Sequence, residues 1–91
     1  MKQMPPELIP YKRTPEFDQD SVPAGLLAAH QTKAGTWGLI VVLEGELEYR
    51  ILESEQEIVV LTPDRPGVVE PTVLHEVEPR GKVRFYVEFH R

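Results

Sequence analysis

With no cysteine in its 91 residues, this chain must draw any metal or proton chemistry from three histidines, His30, His75 and His90, and from its carboxylates. A neutral imidazole offers one nitrogen lone pair to a first-row transition metal and takes up a proton near pH 6.5. His75 and Val77 share one face of the alternating stretch Leu74 to Glu78, so His75 reads as turned toward an apolar interior. His30 closes a short apolar stretch in which Leu26, Ala28 and His30 share a face. His90 lies on the charged face of its stretch with Arg84, Tyr86 and Glu88, where a solvated side chain is the plainer reading. Glu70, just before Pro71, reads either as a hairpin-edge charge or as a third donor beside the histidines. For His30 and His75 the bland alternatives are a loop residue and a hydrogen-bonded core histidine.

Positioning these groups falls to strands. Thr36 to Leu43 is β-branched, aromatic or leucine apart from Gly38, and Glu46 to Leu52 alternates. Between them Glu44-Gly45 gives the acidic-plus-glycine signal of a tight hairpin turn. Glu57 to Thr62 and Val68 to Glu70 predict two further short strands, separated by the breaker cluster Pro63 to Gly67. Pro79-Arg80-Gly81 predicts another turn. Beyond it Val83, Phe85, Val87 and Phe89 alternate with charged or polar residues and predict an inward face. Leu26 to His30 predicts a strand and Gln31 to Gly35 a loop, with the single tryptophan, Trp37, anchoring the core. The sum is seven or eight short strands and no helix, which means a sandwich or a barrel.

Residues 1–25 carry five of the nine prolines and predict an extended arm, with one short edge strand near Ile9 to Arg13. Residues 26–91 then form the barrel, and the whole of 1–91 is one domain. A chain of this size buries roughly 60–65% of its unfolded surface, so a homodimer or a bound metal is expected to supplement the core. The net charge of −5 argues against nucleic acid as a partner. No apolar run is long enough for a membrane span, and the proline-interrupted start lacks a signal-peptide core. A cytoplasmic protein is the expectation.

One set of motifs is specific. His30-Gln31-Thr32-Lys33-Ala34-Gly35-Thr36-Trp37-Gly38, followed by Val42-Leu43-Glu44-Gly45, resembles the N-terminal cupin domain of TehB-type tellurite-resistance proteins. Val69-Glu70-Pro71, with His75 and Val77-Glu78 after it, is similar to the second motif of that domain. Tyr11-Lys12 and the stretch around Pro23 fit as well, so the likeness covers nearly the whole chain; YeaR-like proteins are more distant members. The resemblance implies an all-β fold, a single cupin-type double-stranded β-helix or jelly-roll barrel. It also implies that His30 and His75 meet at the barrel mouth.

Two departures from the general cupin pattern stand out. Gly38 occupies the slot of the first-motif glutamate, and Lys33 or Ala34 lies near the slot of its second histidine. Gly67, Pro71 and His75 keep the second motif. The ligand set implied for a divalent transition metal (zinc, nickel, manganese or iron) is therefore His30 and His75, with Glu70 as first choice for a third donor. No glycine-rich loop of the kind that binds S-adenosylmethionine occurs, so tellurite methylation is not carried over. Three classes of function follow. The first is a module binding a metal, small molecule or oxyanion in a stress response. The second is a metal-dependent oxygenase or isomerase, which the missing first-motif carboxylate disfavours. The third is an assembly scaffold with a filled barrel.

Overall fold

The computed structural model describes all 91 residues, and its regular structure is almost wholly antiparallel sheet. Six strands occur: β1 (Pro10–Arg13), β2 (Phe17–Asp18), β3 (Trp37–Ile51), β4 (Glu57–Leu61), β5 (Gly67–Val69) and β6 (His75–His90). Along the sheet the order is β1-β6-β3-β4, with β2 also on β6 and β5 also on β3. The two long strands run side by side from Trp37↔His90 to Ile51↔His75. Everything else hangs on that ladder.

Two expected turns are therefore bends inside strands. Glu44-Gly45 does not reverse the chain, because β3 continues through it along β6. The pairing runs Val42↔Phe85, Glu44↔Arg84, Gly45↔Val83 and then Glu46↔Arg80. Leu43 on β3 and Gly81-Lys82 on β6 are thus left without partners, which is the signature of bulges that bend and twist a sheet. Gly45 sits at φ 83° and Gly81 at φ 73°, both in the left-handed region. At Gly45 a Cβ would fall 2.1 Å from the Lys82 carbonyl oxygen, so glycine is required there for close approach as well as for φ. Pro79-Arg80-Gly81 belongs to the same bend and is not a turn between two strands.

The bend divides the ladder into two arms. The first, Trp37–Val42 against Phe85–His90, is widened by β5 on one side and by β1 and β2 on the other. The second, Leu47–Ile51 against His75–Pro79, is widened by β4. One buried cluster of 12 residues draws on both, including Ile40, Val42, Tyr49, Leu61, Val77 and Phe85. Val83, Phe85 and Val87 are buried as the alternation required, and Phe89 is half-buried at the margin.

Other expectations shift. Leu26 to His30 is not a strand: a 3-10 turn occupies Ala24–Leu26, and only His30 makes a bridge, to His75. Pro23 disfavours an extended start here, and the turn closes on it through Leu26 N–H to the Pro23 carbonyl at 2.9 Å. Trp37 is half-buried and is not a core anchor. His90 is buried at 9% exposure, since β1 and β3 pair on either side of it, and its Nε2–H donates to Glu88 at 2.8 Å. The proline-rich arm pairs with β6 through Pro10–Arg13 and Phe17–Asp18.

Candidate functional site

His30 and His75 are brought together by backbone. Each donates its N–H to the other's carbonyl at 2.8 Å, so they form a hydrogen-bonded antiparallel pair with side chains on one face. Their rings pack edge to face with centroids 5.3 Å apart, and Tyr49 also packs edge to face against His75 at 5.9 Å. Both histidines line a cavity of about 250 Å³ whose walls draw on both arms of the sheet. The floor and walls are apolar, with Ile40, Val77, Phe85 and Val87 from the long strands. Phe17 and Leu26, from the segment ahead of His30, complete the enclosure.

The imidazoles differ in their hydrogen bonding. His75 Nδ1 lies 3.1 Å from the Val73 carbonyl oxygen. A carbonyl only accepts, so Nδ1 carries the proton and the neutral ring keeps its lone pair on Nε2. That carbonyl is set by the loop Pro71 to Val73, where Thr72 takes φ 63° and donates its N–H to the Thr32 carbonyl at 2.9 Å. Burial holds the His75 imidazole below its ordinary value of 6.5, against the opposing pull of the Val73 hydrogen bond; His30 adds to the lowering. His30 Nδ1 is buried and has no hydrogen-bond partner. Such an atom costs free energy unless a ligand, ion or water meets it.

The other polar groups at the cavity are already satisfied. Thr32 Oγ1 donates to the Thr36 carbonyl at 2.8 Å, and Thr14 Oγ1 donates to the Pro15 carbonyl at 2.9 Å and accepts from the Val87 N–H at 3.0 Å. Behind His75 and outside the lining, Tyr49 is buried so deeply that its phenol is pushed well above the ordinary range, and it donates its hydroxyl to the Val68 carbonyl at 3.0 Å. Gly38 also lines the cavity, and a Cβ there would stand 3.2 Å from Val69 Cβ; glycine at this position lets β5 close against β3.

Glu70 is not brought to the histidines. It does not line the cavity, and its carboxylate pairs with Lys2 Nζ at 3.2 Å. Val69 points inward on the short strand, so the next residue points out. No group of three histidine or acidic side chains converges on a point that could hold a metal ion. The lining residues that sequence reasoning did not single out are Thr14 and Phe17 from the arm, and Leu26 and Thr32 on either side of His30; the topology that gathers them at the cavity leaves no local signature.

A small all-β domain, a curled antiparallel sheet closing on a histidine-tipped cavity, is the class these features define. A TehB-like domain profile matches residues 12–87. The chain is 37% identical over 76 residues to the probable S-adenosyl-L-methionine-dependent methyltransferase TehB of two Haemophilus influenzae strains, covering 79% of this chain and 27% of those proteins. The crystal structure of TehB from Haemophilus influenzae superposes with a TM-score of 0.84 at 33% identity, over 96% of this chain and 32% of that one. A crystal structure of a protein from E. coli (strain K12) gives 0.87 at 21% identity, over 100% of this chain and 97% of that one, a likeness of fold alone. This chain belongs to the TehB-like domain family. It spans about a quarter to a third of the length of the TehB proteins it matches. The structure has no helix long and apolar enough to cross a membrane.

Proposed function

We propose that this TehB-like domain is a binding module of the cupin type, whose barrel takes a small ligand against the His30–His75 pair. One observation carries the reading: His30 and His75 both line a largely apolar cavity of about 250 Å³, with His30 Nδ1 unpartnered and the Nε2 lone pair of His75 left free. Ligand sites are apolar hollows with a few convergent polar groups, and this one fits that description. The absence of a carboxylate from the lining favours binding over the oxygenase reading, which needs two histidines and a carboxylate. A scaffold with a filled barrel would not leave this space. Saturation-transfer NMR with a panel of small molecules tests the reading: wild type gives transfer to some members, and Leu26→Trp, which plugs the cavity from its rim, abolishes it. Equal transfer to both proteins overturns it.

The same two imidazoles favour a second reading, a divalent transition metal held by His30 and His75 with water or ligand completing the shell. With only two protein donors, affinity is moderate. Calorimetry with zinc, nickel and manganese checks it: wild type binds, and His30→Ala and His75→Ala each weaken binding. A stress-response role in the manner of tellurite resistance belongs to this proposal too. So does a homodimer, since β4 ends the sheet and exposes Ile58 at 60%. Light scattering then reports about twice the 10.4 kDa chain mass.

A further inference from the structure

We infer that the ligand of this cavity is an uncharged, mostly apolar molecule of phenol-like size carrying one hydroxyl group, and that an oxyanion is excluded. The inference rests on the binding reading above, and it names the chemistry that the walls select.

Charge comes first. Of the 15 residues lining the cavity none is Lys, Arg, Asp or Glu. A buried anion without a paired cation or several donors is strongly disfavoured, because its desolvation is not offset. The chain's acid–base pairs lie elsewhere: Arg50 and Arg80 on Glu48, Arg84 on Glu16, Lys2 on Glu70. None reaches the interior.

Size comes next. An apolar cavity of about 150 Å³ is enough to take benzene. The cavity here is about 250 Å³, so a substituted benzene ring or a branched aliphatic of similar bulk fits. Phe17, Phe85 and Phe89 line it, and aromatic faces and edges favour another ring.

The polar end is fixed by what is left unsatisfied. Both threonine hydroxyls donate to backbone carbonyls, so they offer no hydrogen to a ligand. His75 Nε2 is an acceptor by virtue of the Nδ1–H bond to Val73, and no ring nitrogen of the adjacent His30, whose centroid lies 5.3 Å away, is bonded within the chain. A hydroxyl is the smallest group that can donate to one nitrogen and accept from the other. A carboxylate or oxyanion cannot donate to Nε2 at all. A plain hydrocarbon would leave both nitrogens unmet, at a cost in affinity.

The experiment compares p-cresol, toluene, 4-methylbenzoate and tellurite by ligand-observed NMR and calorimetry on metal-stripped protein, in wild type, His30→Phe and His75→Phe. Phenylalanine keeps the ring and removes the nitrogens. Wild type is expected to bind p-cresol roughly ten-fold more tightly than toluene, and 4-methylbenzoate and tellurite more weakly than either. Both variants should still bind toluene, which shows that the fold and the cavity persist, while p-cresol loses its advantage. Tighter binding of 4-methylbenzoate or tellurite than of p-cresol overturns the inference and leaves the binding reading in place. Equal affinity for p-cresol and toluene in wild type also overturns it. No binding of any probe by wild type ends the binding reading itself, and this inference with it.

Discussion

Tyr49 touches two regions that are packed to opposite standards. Toward the β4–β5 connection there is no spare room. Tyr49, Leu61 and Leu47 are 0–1% exposed, the Tyr49 hydroxyl ties to Val68, and a Cβ on Gly67 would lie 2.6 Å from Leu61 Cδ1. The same ring also packs edge to face against His75, which lines a space of about 250 Å³ together with His30, whose Nδ1 has no partner. Protein interiors are normally close-packed, so a hollow with a polar defect beside a dense joint is where a bound molecule is expected. The dense side fixes the curl of the sheet, and the loose side uses it.

That contrast can be broken by adding one methyl group at a time. The largest loss is expected at the bend that creates both sides. Gly45→Ala must accommodate φ 83° and a clash with the Lys82 carbonyl, and should cost about 3 kcal/mol in denaturant melts. Little change there would show that the bend does not depend on close approach. Gly67→Ala on the dense side should cost about 1–3 kcal/mol, because the buried Leu61 has to shift. Gly25→Ala on the cavity rim meets nothing within 4 Å and has no positive φ. It should change stability by no more than about 1 kcal/mol, in the stabilising direction. Similar costs at positions 67 and 25 would erase the distinction between the two sides.

The smallest effect belongs to the outer face, which takes part in neither side. There Arg80 first, then Arg50, hold the Glu48 carboxyl below its ordinary value of 4.5. A depressed carboxylate contributes stability that is present above the unfolded value and lost as pH falls through the folded one. Stability should therefore decline below about pH 4.5 in wild type, and Glu48→Gln should flatten that decline. An unchanged slope in the variant would mean that the arginines do no more than solvent does.

Much of the strand pattern was legible. Alternation gave the buried faces of Val83, Phe85 and Val87, and breaker clusters bounded β4 and β5. Gly45 and Gly81 misled, because a glycine beside polar residues marks a bulge in the same words as a turn; only the long β3–β6 pairing tells them apart. The charged face of its stretch hides the burial of His90, because its cover comes from Pro10 and Trp37, both remote in sequence. At the site, the approach of His30 to His75 was legible through family motifs, whereas the outward turn of Glu70 followed from the phase of a three-residue strand. The contribution of Phe17 and Leu26 to the cavity depends on how the arm folds back, which no local pattern records.

The two imidazoles of His30 and His75 decide whether the cavity binds as described, and long-range ¹H–¹⁵N correlation of the histidine rings during p-cresol titration reads them directly. Free protein should show His75 as the Nδ1–H tautomer, and saturating p-cresol should move the ring nitrogens of His30 and His75 while those of His90, tied to Glu88, stay in place. An Nε2–H tautomer for His75 in the free protein, or a titration that leaves both rings of the pair unmoved, would contradict it.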